Sequence, residues 1–493
     1  MKKQLLLLTN ACMFCFVSMS IVVQAQNPDL KRTNHWFFGE QAGLDFSSGT
    51  AVADTNGKTN TLEGTAAISD TAGNLLFYYG RHLGTRYKIL NRNHQVMVNG
   101  DNMLPNGAAS PRQAGIIIPR PGSDSIYYLF TVDGWENQWQ HGIRYSEIDM
   151  SLDSGRGAVT SNKNVLLVAP VTEQLAAVKH ANGCDYWVTT HERYSDKFLS
   201  YLVTDMGVDT TPVISAIGAD YGYMSTLNPY AGGYETNFSP NGSFVAVFDF
   251  WAWPNGTGIF DTVMLLKFNR STGAFYDNIR LGVDSVIACL AISPDNSKLY
   301  VETGWYRGNL YQYDVSVWRY SAILSSRVIV QSTGISANVT EDFQNGNDGK
   351  IYGSNETNFH LHVMHNPDAS GTACNYVTND LYLEGRKLRA ELPSFVQSYF
   401  EEKPVICGAA GVSGAQNLAV RVFPNPASEN LGIIAADLRE VKIFDLNGKA
   451  VFHKSFKTYS SIVQIDVDGY ARGLYILEIK TKTNHFNHKI ILQ

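Results

Sequence analysis

One pattern restricts the fold of this chain more than any other: a strand–turn–strand unit that recurs six times at nearly constant spacing. Each copy joins an apolar strand to an aromatic one through a turn rich in Ser, Pro, Asp, Asn and Gly. The copies are Ala67-Ile-Ser-Asp-Thr-Ala-Gly-Asn-Leu-Leu-Phe-Tyr78, Ile118-Pro-Arg-Pro-Gly-Ser-Asp-Ser-Ile-Tyr-Tyr128, Val178-Lys-His-Ala-Asn-Gly-Cys-Asp-Tyr-Trp-Val188, Phe238-Ser-Pro-Asn-Gly-Ser-Phe-Val245, Ile292-Ser-Pro-Asp-Asn-Ser-Lys-Leu-Tyr300 and Gln344-Asn-Gly-Asn-Asp-Gly-Lys-Ile-Tyr352. Their turns start at Ser69, Pro121, His180, Ser239, Ser293 and Asn345, which are 52, 59, 59, 54 and 52 residues apart. A further strand follows each copy, from Tyr87-Lys-Ile-Leu90 in the first to Leu361-His-Val-Met364 in the last. Three or four strands at a period near 50 residues predict propeller blades. A lone blade leaves its apolar faces in water, whereas a ring of blades covers them and leaves only short edges. His35–Phe38 and Leu44–Phe46 read as strands of a further blade that lacks its first strand. Leu392–Phe400 is expected to supply it, closing the ring with both chain ends. Residues 34–400 then divide into seven units of about 52 residues. Six blades with the ends as trimmings is the alternative.

Composition agrees with an all-β protein outside the cell. The 24 Phe, 26 Tyr and 8 Trp of the 493 residues rule out long disorder. Low charge and 42 Gly suit short strands and tight turns. With 39 basic against 45 acidic residues and no basic tract, a nucleic-acid partner is excluded.

From about Leu418 the pattern changes to alternating strands without the repeat: Val420–Phe423, Val441–Phe444 and Tyr475–Ile479. Pro424-Asn425-Pro426 must leave a strand, and Asp445-Leu-Asn-Gly448 is a hairpin connection. A β-sandwich of about 75 residues is expected. Phe423-Pro-Asn-Pro-Ala-Ser-Glu-Asn-Leu431, Val441-Lys-Ile-Phe-Asp-Leu-Asn-Gly-Lys-Ala-Val451, Gly473-Leu-Tyr475-Ile-Leu-Glu-Ile479 and Lys489-Ile-Ile-Leu492 resemble the C-terminal sorting domain of the type IX secretion system. Over 418–493 this resemblance implies a Bacteroidota-type bacterium, the secretion machinery as partner, and removal of the domain with surface attachment or release. Lys449 departs from the Arg common at its position, and Gly432 weakens the strand after the turn.

Residues 1–25 read as a signal peptide, with Lys2 and Lys3 before an apolar Leu5–Val23 stretch, to be removed by signal peptidase. No later stretch is apolar enough to span a bilayer, so no transmembrane segment is expected in the mature chain. Residues 401–417 contain the small-residue run Gly408-Ala-Ala-Gly-Val-Ser-Gly-Ala-Gln416 and are expected to form a flexible, protease-accessible linker. In the repeat region, Trp36–Phe46 and His180–Trp187 resemble secreted propeller proteins that precede such sorting domains. The Ser-Pro-Asn and Ser-Pro-Asp turns at Ser239 and Ser293 resemble those of YVTN and other Ser-Pro-Asp-Gly propellers. The resemblance implies the fold and no single activity.

In such propellers the loop after the second strand of a blade shares a rim with the blade-to-blade connections. Those loops hold Arg81 and His82; Trp135, Trp139 and His141; His191 and Arg193; Trp251 and Trp253; Trp305 and Tyr306; and Glu356. Aromatic faces among Arg, His and carboxylate groups suit a surface glycan or a peptide. The competing reading packs these aromatics between blades. Glu235, Asp249 and Asp261 could serve as acid and base in a hydrolase, but their separation is not legible. His360 and His362 share a strand face without further ligands at suitable offsets, so neither metal nor cofactor is expected. Cys374 and Cys407 bracket the closing segment and are expected to pair, with Cys184 and Cys289 free. The sequence thus points to a secreted or surface binding protein. A secreted hydrolase using the same rim and a structural subunit of a surface assembly are the alternatives.

Overall fold

The turn chemistry explains how each repeat is nucleated. In the Ser293 turn the buried hydroxyl donates to Asp295 Oδ1 at 2.6 Å and accepts the Lys298 amide at 2.9 Å. Asp295 Oδ1 also accepts the Ser297 amide at 2.9 Å. In the Ser239 turn Asn241 takes the place of Asp, accepting from Ser239 Oγ at 2.9 Å and from the Ser243 amide at 3.0 Å. Side-chain acceptors thus hold donors that the reversing backbone cannot pair, and the flanking strands leave in antiparallel register.

The structure, a computed structural model, describes residues 27–492 except 85, 105–110, 219–231, 251–261, 284, 305–307, 333–338, 357, 405–406, 408–419, 424–426, 428–429, 447 and 483–484. The expected leader, most of the expected linker and Pro424-Asn425-Pro426 therefore lie outside the described residues. The chain divides into two units, Met1–Ala409 and Ala410–Gln493. The fold is all-β, and no helix among the described residues is long and apolar enough to cross a membrane.

Among its described residues the first unit holds seven small sheets. The first has three strands, His35–Phe38, Ala42–Asp45 and Val52–Ala53. The second to seventh begin with Thr65–Ser69, Gly115–Pro119, Ala176–Lys179, Gly232–Phe238, Ile287–Ile292 and Asp342–Asn345, hereafter the inner strands. Each inner strand pairs antiparallel with the aromatic strand that follows its turn. Several inner strands, such as Thr65–Ser69 and Ile287–Ile292, are buried along their whole length because both faces are covered.

Consecutive sheets pack face to face. Phe77 of the second sheet meets Tyr127 of the third, with ring centroids 5.7 Å apart. Phe198 of the fourth meets Phe275 of the fifth at 4.6 Å. Tyr300 of the sixth shares a cluster with Phe343 and Met364 of the seventh. The first sheet packs on two others: Phe37 lies 4.4 Å from Tyr78 of the second, and Trp36 lies 5.7 Å from Tyr352 of the seventh. Burying each such ring contributes about 1.5–3 kcal/mol.

Two expectations are corrected here. The closing segment does not extend the first sheet; Pro393–Ser394 instead pairs in parallel with Thr65–Ala66 of the second. Pro393 has no N–H to donate, which suits the first position of a short strand. The following turn Gln397–Phe400 reaches the far end of an inner strand, where Ser398 Oγ accepts the Lys179 amide at 2.9 Å. The second correction concerns the disulfide, which joins Cys184 to Cys407, not Cys374 to Cys407. Asn27 Nδ2 donates to the Ser398 and Tyr399 carbonyls, and Glu401 pairs with Arg270, whose Nε donates to the Lys179 carbonyl. These contacts bring the chain after Phe400 to the turn that carries Cys184. Cys374 is buried between the sixth and seventh sheets, where it remains a thiol, as does Cys289.

Among its described residues the second unit has five strands, Val420–Phe423, Asn430–Phe444, Ala450–Asp466, Gly473–Thr481 and His485–Leu492. The expected short strands of a sandwich are joined into one hydrogen-bonded sheet, because Asn430–Phe444 changes partner along its length. Its start pairs with Val420–Phe423, its end with Gly473–Thr481, and Ala450–Asp466 follows it with register shifts between. Leu431 and Ile433 from one half share a core with Val441, Ile443, Leu477 and Ile490 from the other. Asp445 Oδ1 accepts the Lys449 amide at 2.9 Å, and Gly448 takes the φ of +81° that the hairpin requires. Tyr475 donates its hydroxyl to the Ala471 carbonyl at 2.7 Å, and Lys489 is exposed.

Candidate functional site

Residues at or next to the starts of several inner strands converge on Arg112, which lies just ahead of Gly115–Pro119. Its Nε donates to Glu391 Oε1 at 2.6 Å, Nη1 to the Ala288 carbonyl at 2.9 Å, and Nη2 to the Glu341 carbonyl. The next residue, Gln113, accepts the amides of Leu175 and Thr236 at 3.1 and 3.0 Å and donates to the Thr236 carbonyl at 3.0 Å. Two adjacent side chains just ahead of the third sheet's inner strand thereby touch residues at or next to the starts of the fourth, sixth and seventh and Thr236 within the inner strand of the fifth. Around them lies a small cavity of about 20 Å³, room for about one water molecule, lined by Arg112, Glu235, Asp342, Glu391, Leu175 and Phe395 among others.

The charge there is unbalanced. Glu173, Glu235 and Glu391 are each at most 4% exposed, and Glu63 and Asp342 adjoin them. Burial is the largest cause pushing the Glu173 and Glu235 carboxyls up to about 8, with Arg112 opposing it. Glu63 is raised well above the carboxylate range by burial and by the charges of Glu173 and Glu391. Asp342 and Glu391 lie close to each other, and burial raises both. Such groups can take a cation, donate a proton, or hold hydroxyls, depending on protonation.

The residues expected at the rim divide into three sets. Trp135, Trp139, His141 and Arg193 come together beside this centre. The Trp135 amide donates to Glu173 Oε1 at 3.1 Å, and the same carboxyl accepts the Arg112 amide at 3.5 Å through Oε2. Arg193 stacks on the Trp139 ring at 3.3 Å and lies 4.9 Å from that of Tyr194. Trp139 is therefore buried beneath the Arg193 guanidinium, while Trp135 (45%) and Tyr194 (53%) are exposed. His141 is fixed by Asp133, whose carboxylate accepts from His141 Nδ1 at 2.9 Å and from its amide at 2.8 Å.

A second set is structural or engaged elsewhere. His191 is fully buried, with Nδ1 2.9 Å from the Glu192 carbonyl oxygen and its ring edge-on to Phe198 at 4.6 Å. Arg81 donates to the Gly84 carbonyl at 3.2 Å, and burial lowers the neighbouring His82. Glu356 shares Arg389 with Glu40. His362 is buried, accepts the Asn379 amide at 2.9 Å and is pushed down to about 4 by burial. The third set, Trp251, Trp253, Trp305 and Tyr306, lies outside the described residues, as do Asp261 and the side chain of Asp249.

Sequence reasoning missed Arg112, Asp133 and the carboxyls other than Glu235. A signal existed: Glu63, Glu173, Glu235 and Asp342 each stand a few residues ahead of a repeat turn.

Among solved structures the chain is similar to a functionally unknown protein from Desulfotomaculum acetoxidans at 13% identity and TM-score 0.40, covering 73% of this chain and 98% of that one. It is also similar to a putative 6-phosphogluconolactonase from Bacteroides uniformis at 12% identity and TM-score 0.36, covering 81% and 98%. For the calcium-binding protein regucalcin from Agrobacterium tumefaciens the values are 10% and 0.32, covering 65% and 81%. At these scores the similarities carry no argument about activity. No curated protein matches the chain. Residues 421–493 match the family described as the secretion system C-terminal sorting domain, so this is a type IX-exported protein, secreted and then attached to the cell surface or released.

Proposed function

We propose that the first unit is a closed seven-bladed propeller acting outside the cell as a binding protein for glycans or peptides, with its site where the inner strands start. Closure is supported by the first sheet packing on both the second and the seventh, and by the Arg112 and Gln113 bonds to four other sheets. The observation that carries the binding reading is the exposed aromatic face at Trp135 and Tyr194, joined through Glu173 to the buried carboxyls at Arg112. Such a pairing of an apolar platform with a few buried polar groups suits a ligand site. The proposal includes a Bacteroidota-type source, cleavage after residue 25 and clipping of the sorting domain within 401–417.

Retention of the secreted protein on a panel of polysaccharides and peptides tests this. Saturable retention without products is expected, and Trp135→Ala with Tyr194→Ala should weaken it by roughly tenfold while the melting temperature holds. Unchanged retention by the double variant would remove this rim from consideration. A second reading, a hydrolase, is favoured by the raised Glu173 and Glu235 carboxyls, since a general acid must keep its proton at neutral pH. Release of products in the same assay would establish it.

A further inference from the structure

We propose that the rim formed by the loops after the second strands is a binding surface for an acidic polysaccharide, a uronate polymer that lies across several loops at once. This rests on the reading that a ligand meets the first unit where the inner strands start, and it names the ligand's chemistry.

The first observation is a row of exposed apolar side chains. The loops after the second strands of the second, third, fourth and seventh sheets each hold one: Leu83 (52% exposed), Trp135, Tyr194 and Phe359 (44%). Three of the four are aromatic, and such rings suit the C–H faces of pyranoses. The row is continuous. Arg81 and Glu136 both lie within reach of Tyr87, which joins the second-sheet loop to that of Trp135. Arg193, between Trp139 and Tyr194, joins the third to the fourth. The Asn60 amide donates to the Arg81 carbonyl, Glu40 bridges Asn60 to Lys387, and the Leu383 amide donates to the Phe359 carbonyl, which reaches the seventh. The cavity at Arg112 admits about one water, so no sugar ring enters it and contact stays on the surface.

The second observation is backbone strain. Left-handed backbone is uncommon outside Gly, Asn, Asp and His, and costly for bulky residues. Six other residues adopt it in these loops and the segments joined to them: Gln41 (φ +60°), Leu83 (+48°), Gln138 and Trp139 (+54° each), Tyr194 (+64°) and Glu384 (+50°). Elsewhere among the described residues only Ser154 does so. Strain gathered at one rim, at residues that include the exposed Leu83 and Tyr194, marks a surface held for contact rather than for stability.

The third is charge. Arg86 is exposed, Lys58 and Lys88 are half-buried, and none of the three has an ion-pair partner among the described residues. Glu40 and Glu356, by contrast, are held by Arg389, and Glu192 by Lys197. The Leu83 amide donates to the Lys58 carbonyl at 3.1 Å, and burial together with the Lys88 charge lowers His82, so these cations surround the Leu83 loop. A uronate chain brings carboxylates to them while its rings lie on Trp135 and Tyr194.

Isothermal titration of the full secreted protein at pH 7 decides the matter. The probes are a galacturonate decamer, a mannuronate decamer, the fully methyl-esterified galacturonate decamer, the uronate monomers, a poly-glutamate of equal charge and a neutral cello-oligosaccharide. At least one uronate decamer should bind about tenfold or more tighter than the ester and the monomers, and added salt should weaken it. Arg86→Gln with Lys58→Gln should cut the preference over the ester to below about threefold. Tyr194→Gly should keep or raise the melting temperature, because glycine accepts that φ, while weakening the decamer by at least about threefold. Equal binding of decamer and ester, a monomer as tight as the decamer, a preference that survives the double variant, a Tyr194→Gly variant that melts lower or binds as before, or tighter poly-glutamate each overturns the proposal. Binding of the neutral oligosaccharide alone overturns it and leaves the broader binding reading intact. Binding of no probe overturns it too, and retention on the wider panel then decides the broader reading separately.

Discussion

Arg112 brings one positive charge into a centre where several carboxyl groups have lost their water, and the protein answers by keeping protons on them. That has a consequence for stability. Glu173 and Glu235 titrate at about 8 in the folded chain against 4.5 when unfolded. Between those values the folded state binds more protons than the unfolded one, so stability is fully present below about pH 4.5 and falls as pH rises towards 8. The carboxylates held low, such as Asp314 at about 2, act only below this window. The melting temperature of the secreted protein should therefore decline from pH 5 to pH 8, and Glu235→Gln should flatten the slope and raise the value at pH 8. A melting temperature that is flat or rises over this range would contradict the assignment. Glu235 was legible in the sequence as a candidate acid or base, but its partners were not. It faces Arg112 and Glu391, which lie 123 or more residues away along the chain and meet it only once the sheets have packed.

At the scale of elements, the hairpins were readable and the closures were not. Five of the six turns carry their own acceptors, Asp70 holding the Ala72 and Asn74 amides at 2.9 Å for example, so strand–turn–strand units form from local chemistry. The segment after Leu392 has no such instruction, and its partner is whichever inner strand lies exposed beside it. The cysteine pairing follows the same logic. Cys184 and Cys407 are 223 residues apart, and only the path of Ser398–Glu401 across the fourth sheet brings them together. Non-reducing peptide mapping should recover a Cys184–Cys407 link, unchanged by Cys374→Ser. Cys184→Ser should lower stability by about 2–4 kcal/mol through loss of so long a closed loop. Recovery of a Cys374–Cys407 peptide would refute this connectivity.

At the scale of the molecule, two units with separate cores divide the work. The match at 421–493 assigns export to the second, and the first has its own chain of apolar clusters. Deleting 421–493 should leave the protein inside the cell envelope with the melting temperature of the first unit unchanged; appearance of the truncated chain in the medium or on the surface at normal levels would contradict this. The repeat, its turns, the all-β class and the sorting motifs came from the sequence alone, since each is written in residues within about a dozen positions of one another. The acidic centre, the disulfide partner and the seat of the closing strand came only from the tertiary structure. Their contacts span distances such as the 279 residues between Arg112 and Glu391, and no local preference specifies which of many distant groups will meet once the sheets have packed.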